Sequence, residues 1–146
     1  MKFQYSFQQI VDLKNNQRTQ AEWVLSEALG KLRSEETNLQ DLFERKAELH
    51  EQIHQVSATS VTISQMLLLQ NYMDHLDQQI VRKHEDIQMA QQVVEVKQVV
   101  LSERMRDEEV WNKARDKAFD QHRAFVAKKE QESLDEMATN RFRRLS

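Results

Sequence analysis

The chain has 146 residues, 31% of them charged and 39% hydrophobic, with one glycine, no proline, no cysteine and a net charge of −3. That composition excludes a sheet-based fold, disulfides, thiol catalysis and thiolate metal sites, and its near-neutral balance does not argue for nucleic acid. No apolar run exceeds four residues, far short of the roughly 18 that cross a bilayer, and the amino terminus carries no hydrophobic signal segment, so a soluble intracellular protein without membrane insertion is expected.

Ser6 followed by Gln9, with Tyr5 and Ile10 at the staple positions, marks the first helix start as a capping box. From there steps of four and three pass through Phe7, Val11, Lys14, Arg18, Ala21, Leu25, Ala28, Leu32, Glu35, Leu39, Leu42, Lys46, Leu49, Ile53 and Val56, and eleven of those fifteen stations are apolar. A step averaging about 3.5 residues keeps one helix stripe against one neighbour, which reads as a strand of a coiled coil. Gly30 lies off this stripe, where it costs about 1 kcal/mol relative to alanine without ending the helix.

Ser57, Ala58, Thr59, Ser60 and Val61 are weak helix formers and predict a turn. Thr62 with Gln65, and Val61 with Met66, repeat the box and staple. A second stripe follows through Leu69, Met73, Leu76, Ile80, Lys83, Ile87, Ala90, Val94, Lys97 and Leu101. The expectation is all-α: one elongated domain over residues 1–146, an antiparallel two-helix coiled-coil hairpin with helices over about 7–56 and 63–140, a turn over 57–62 and an extended C-terminal helix.

The most favourable antiparallel register sets Ile53 against Leu69, Leu49 against Met73, Leu42 against Ile80, Leu32 against Ala90 and Ala28 against Val94, mixing large with small. It also sets Lys14 against Glu108, Phe7 against Arg115 and, at a penalty, Arg18 against Arg104. Sliding by a heptad places Lys46 against Lys83. Residues 116–146 then overhang, with an apolar face of Leu134, Met137, Ala138, Phe142 and Leu145 that a partner could cover. Residues 102–146 hold eleven basic and ten acidic side chains, a mixed surface that suits solvent or a charged groove on another protein.

Among motifs of chemistry, His50-Glu51-Gln52-Ile53-His54 matches the zinc-protease pattern HExxH. Ile53 belongs to the seam, so both histidines stand on the outer flanks of a helix pair with no cleft and no third ligand, and the match is read as fortuitous. Gly30-Lys31-Leu32 lacks the hydroxyl of a phosphate-binding loop. His75, His84 and His122 are isolated and read as solvated or snorkelling. No catalytic residue, cofactor or metal site is expected, and the chain is not expected to be an enzyme.

Three segments resemble the FliJ family of flagellar export proteins: Phe3-Gln4-Tyr5-Ser6-Phe7-Gln8-Gln9-Ile10-Val11-Asp12-Leu13-Lys14 at the start, Gln70-Asn71-Tyr72-Met73-Asp74-His75-Leu76-Asp77-Gln78-Gln79-Ile80 after the turn, and Leu134-Asp135-Glu136-Met137-Ala138-Thr139-Asn140-Arg141-Phe142 in the tail. The resemblance implies a hairpin similar to the central stalk of rotary ATPases, working in the cytoplasm at the inner face of the cell membrane as part of the flagellar type III export apparatus. It implies that the terminal end sits in the flagellar export ATPase hexamer and promotes its assembly and activity, with Phe3, Phe7, Val11, Met137, Arg141 and Phe142 as contacts. It further implies a link to the membrane export gate protein through Asn38, Leu42, Tyr72 and Leu76, and docking of export chaperones. Arg45, Leu49, Gln79 and Lys83 depart from residues the gate pattern often shows. A monomer in isolation is expected. The alternatives are a coiled-coil adaptor or chaperone without effect on an ATPase, or the equivalent stalk of a virulence type III secretion system.

Overall fold

The computed structural model describes residues 2–145. With no proline or second glycine to interrupt them, the helix-forming stretches give α1 (Gln8–Ser57) and α2 (Ile63–Leu145), and no strand occurs among the described residues. The second helix continues to Leu145 rather than stopping near residue 140.

The first start differs from the expected capping box. Phe7 is the boundary residue, because its carbonyl accepts the Val11 amide at 3.1 Å and the Ile10 amide at 3.0 Å, while the Tyr5 carbonyl takes the Gln8 amide at 3.1 Å. Backbone carbonyls thus take the Gln8, Ile10 and Val11 amides at this end. The second start shows the Thr62 half of the expected box: the Gln65 amide donates to Thr62 Oγ1 at 3.3 Å, and the Met66 amide donates to the Thr62 carbonyl at 3.1 Å.

Between the helices the backbone turns without any positive-φ residue among those described. The Ala58 and Thr59 amides fold back on the Gln55 and Val56 carbonyls at 3.2 and 3.1 Å. The Ser57 and Thr59 hydroxyls donate to the Ile53 and Val56 carbonyls at 2.7 and 3.1 Å. Hydroxyl side chains therefore satisfy carbonyls that a glycine C-cap would otherwise serve.

Contacts divide the chain into two units, each pairing a piece of α1 with a piece of α2. In the unit Ala21–Leu101, Leu42, Leu49, Leu76 and Ile80 form a buried cluster, with Leu39, Ile53, Leu69 and Met73 packed against it. Six of them, Ile53 with Leu69, Leu49 with Met73 and Leu42 with Ile80, are pairs that the expected register set opposite one another. Every expected station from Val24's neighbour Leu25 to Val56, and from Leu69 to Leu101, is buried or half-buried. The charged stations Glu35, Lys46 and Lys83 are matched across the helices: Lys83 Nζ donates to Glu35 Oε2 at 2.8 Å, and Lys46 lies 2.7 Å from Asp77. The Glu35 hydrogen bond raises the Lys83 pKa above its usual 10.5, working against burial, with the charges of Glu35 and Asp86 helping.

The other unit holds the residues up to Gln20 and those from Ser102 onward. Val11 is its most enclosed side chain, at 1% exposure. Arg18 pairs with Glu108 and Lys14 with Asp107, so the expected Arg18–Arg104 clash and Lys14–Glu108 pair are both replaced. The long arginine stem reaches past its opposite number to the nearer carboxylate. Phe7 is 51% exposed and lies beside Trp111 rather than Arg115, with ring centroids 6.1 Å apart. The overhang is also shorter than expected, because Phe3 packs edge-on against Phe119 at 5.1 Å and against His122 at 5.4 Å. Val126 is the last half-buried residue among those described.

Candidate functional site

The chain ends supply the first candidate surface. Before α1 the backbone is not helical, and Phe3 and Phe7 lie against Phe119 and Trp111 of α2 instead of stacking on one helix face. Tyr5 lies 5.7 Å from Phe7, and the Arg123 guanidinium lies 6.0 Å over the Phe119 ring that Phe3 contacts. His122, expected in solvent, is half-buried by Phe3, and its Nε2 is enclosed without a hydrogen-bond partner among the described residues.

Beyond Val126 every described residue is exposed, and no described residue buries Leu134, Met137, Phe142 or Leu145, the last at 87% exposure. Of the terminal candidates, Phe7, Met137, Arg141 and Phe142 are thus open to a partner, Phe3 is partly covered, and Val11 is enclosed and serves the helix pair. Met137, Arg141 and Phe142 share one shallow concavity with Leu134 and Leu145, because steps of three and four keep them on one side of α2.

The candidates nearer the turn divide in the same way. Leu42 and Leu76 belong to the buried cluster, with Leu76 at 1% exposure, while Asn38 is exposed and Tyr72 is half-open. Asn38 and Leu42 line a groove between the helices together with Arg45, Gln79 and Lys83. Tyr72 and Leu76 do not line it. Three of the four positions that depart from the family pattern are therefore gathered at one place, which no sequence spacing announced.

One apolar surface was not read from the sequence. Met89, Val93 and Val96 stand 48–65% exposed on α2, and Met89 and Val93 line a groove with Ala28 of α1. Their spacing of four and three is itself a seam signal, hidden because it runs one residue beside the stronger stripe through Ala90, Val94 and Lys97. The HExxH residues His50, Glu51 and His54 are exposed, and no group of three or more potential metal ligands occurs among the described residues. His84 lies against Phe43, with ring centroids 6.2 Å apart.

A family model described as "Flagellar FliJ protein" matches residues 2–145. The chain belongs to the FliJ family. This FliJ-family protein is accordingly a component of a type III export system, in a family whose role in export is non-catalytic. No curated protein matches it in sequence. Its fold is shared with a solved structure from Chlamydia trachomatis, CT670, described as a YscO homologue, at a TM-score of 0.68 and 17% identity over 94% of each chain. At that identity the likeness speaks for the two-helix architecture alone. No helix among the described residues is long and apolar enough to cross a membrane.

Proposed function

We propose that this FliJ-family protein is the stalk of a flagellar type III export ATPase, seated by its terminal end in the centre of the enzyme's hexameric ring and raising its assembly and turnover. The observation that carries the reading is the uncovered tail: four large apolar side chains and Arg141 on a helix that continues past its own partner. A short apolar end with charged residues of both signs can touch several ring subunits without committing to one, since surface ion pairs are weak and exchangeable. Phe3, Phe7 and Val11 then act at different depths: Phe7 at the contact, Phe3 and Val11 in holding the two strands together. The same reading places the protein in the cytoplasm beneath the membrane, with Asn38 and Tyr72 toward the export gate protein and Leu42 and Leu76 supporting them from the core.

The test is ATP turnover by the cognate ATPase with the full chain and with a chain ending at Val126. The second ending keeps every covered residue of the terminal unit. The full chain should stimulate and the shortened chain should not; equal stimulation removes the tail from the mechanism. A second reading, a holder of export chaperones without effect on the ATPase, is favoured by the exposed strip of Met89, Val93 and Val96. Unchanged turnover together with chaperone binding lost on Val93→Glu would select it.

A further inference from the structure

The groove between the helices of the unit Ala21–Leu101 has a polarity that its place beside the core does not require. Leu42 forms an apolar floor, Asn38 and Gln79 present amides from opposite helices, and Arg45 on α1 and Arg82 on α2 stand on its two sides. The third cation there, Lys83, is already neutralised by Glu35 at 2.8 Å and Asp86 at 3.7 Å. Asp77, outside the groove lining, is engaged by Lys46 at 2.7 Å. Arg45 and Arg82 are exposed and have no ion-pair partner among the described residues. Asp41, one helical turn before Arg45, also lines the groove but does not bond to it.

We infer that this groove binds a carboxylate-bearing peptide segment, with Arg45 and Arg82 gripping acidic side chains from opposite helices. Guanidinium forks match carboxylates in geometry and make stronger hydrogen bonds than neutral donors. The flanking amides of Asn38 and Gln79 can pair with a peptide backbone, and Leu42 offers apolar contact to the segment's other face. That combination favours an acidic peptide over a free inorganic anion, which would use the arginines and leave the amides and the leucine idle. Asp41 and Asp86, which also line the groove, work against the ligand by like charge, Asp86 less so because Lys83 lies 3.7 Å from it. The inference deepens the gate reading above and rests on it, because Asn38 belongs to the groove; it says that the gate segment docking here is acidic.

The experiment is a titration of the full chain with hexaglutamate, with hexalysine and with inorganic phosphate at constant ionic strength. The side-chain Nε–Hε resonances of Arg45 and Arg82 are followed by nuclear magnetic resonance. Hexaglutamate should shift both resonances saturably, Arg45→Gln and Arg82→Gln should each weaken it about 10-fold, and Asp41→Asn should strengthen it severalfold. Helical content and melting temperature should stay at wild-type values in all three variants, because the residues are exposed. No shift with hexaglutamate, or an equal response to phosphate, overturns the inference. Capture of the gate protein without hexaglutamate binding would end this inference and leave the gate reading standing; hexaglutamate binding without gate capture would do the reverse.

Discussion

Replacing Glu35 by glutamine tests whether the charged stations of the seam are structural elements or tolerated defects. Lys83 and Glu35 meet at 2.8 Å with side-chain exposures of 21% and 17%. At an effective dielectric of 20 that separation corresponds to a gross attraction of about 6 kcal/mol, most of it offset by desolvation of the two groups. Glutamine keeps the shape and one hydrogen bond but leaves the ammonium half-buried, with Asp86 at 3.7 Å as its remaining counter-charge. The expected loss is about 1–2 kcal/mol, read from urea unfolding followed by circular dichroism at 222 nm. Asp77→Asn is the internal comparison, because Lys46 and Asp77 are 43% and 47% exposed and an exposed pair contributes about 0.5 kcal/mol or less. The pH dependence has a definite sign. The folded-state pKa of Lys83 is raised above 10.5, so its stabilisation is fully present below that value and disappears as pH rises through the higher folded value. A Glu35→Gln loss no larger than that of Asp77→Asn, or a Glu35–Lys83 coupling that persists unchanged once Lys83 is deprotonated, would refute the argument.

Three further outcomes are expected. Gly30→Ala should stabilise the protein by about 0.5–1 kcal/mol in the same unfolding assay, since an added Cβ meets nothing within 4 Å and glycine in a helix interior is costly. Leu76→Ala should cost about 2–5 kcal/mol, because the side chain is 1% exposed within the cluster of Leu42, Leu49 and Ile80. Cysteines placed at Ala28 and Val94 should form an intramolecular disulfide on mild oxidation, detected as a mobility shift without change in mass per chain; resistance to oxidation would mean a different register.

Much of the fold was legible because a seven-residue apolar repeat has few physical solutions. Leu42 with Ile80, Leu49 with Met73 and Ile53 with Leu69 could be matched on paper since each carries its own hydrophobic signal. The signal fades where the stations become polar. Arg104 and Glu108 continue the half-buried stripe past Leu101, yet neither announces itself as core, and only the structure shows Arg18 reaching Glu108. Phe7 fits the repeat perfectly well in spacing, but it precedes the first helical turn, so helical periodicity does not govern where its ring points. The reach of Phe3 to Phe119 belongs to backbone outside the helix, for which the sequence offers no ruler. The groove flanked by Arg45 and Arg82 was equally hidden, since its two sides are thirty-seven positions apart and each arginine alone is an ordinary surface residue.

The cross-helix ion pairs in the unit Ala21–Leu101 bear on how it would respond to load. An all-leucine contact could creep by one repeat under axial or twisting force and find nearly the same packing again. Here a slip of seven residues one way brings ammonium against ammonium at Lys46 and Lys83, and the opposite slip sets the same lysines against Leu69 and Leu32, so displaced alignments are penalised rather than merely unrewarded. The charges act as detents: force passes from one strand to the other without the two sliding into a false seat.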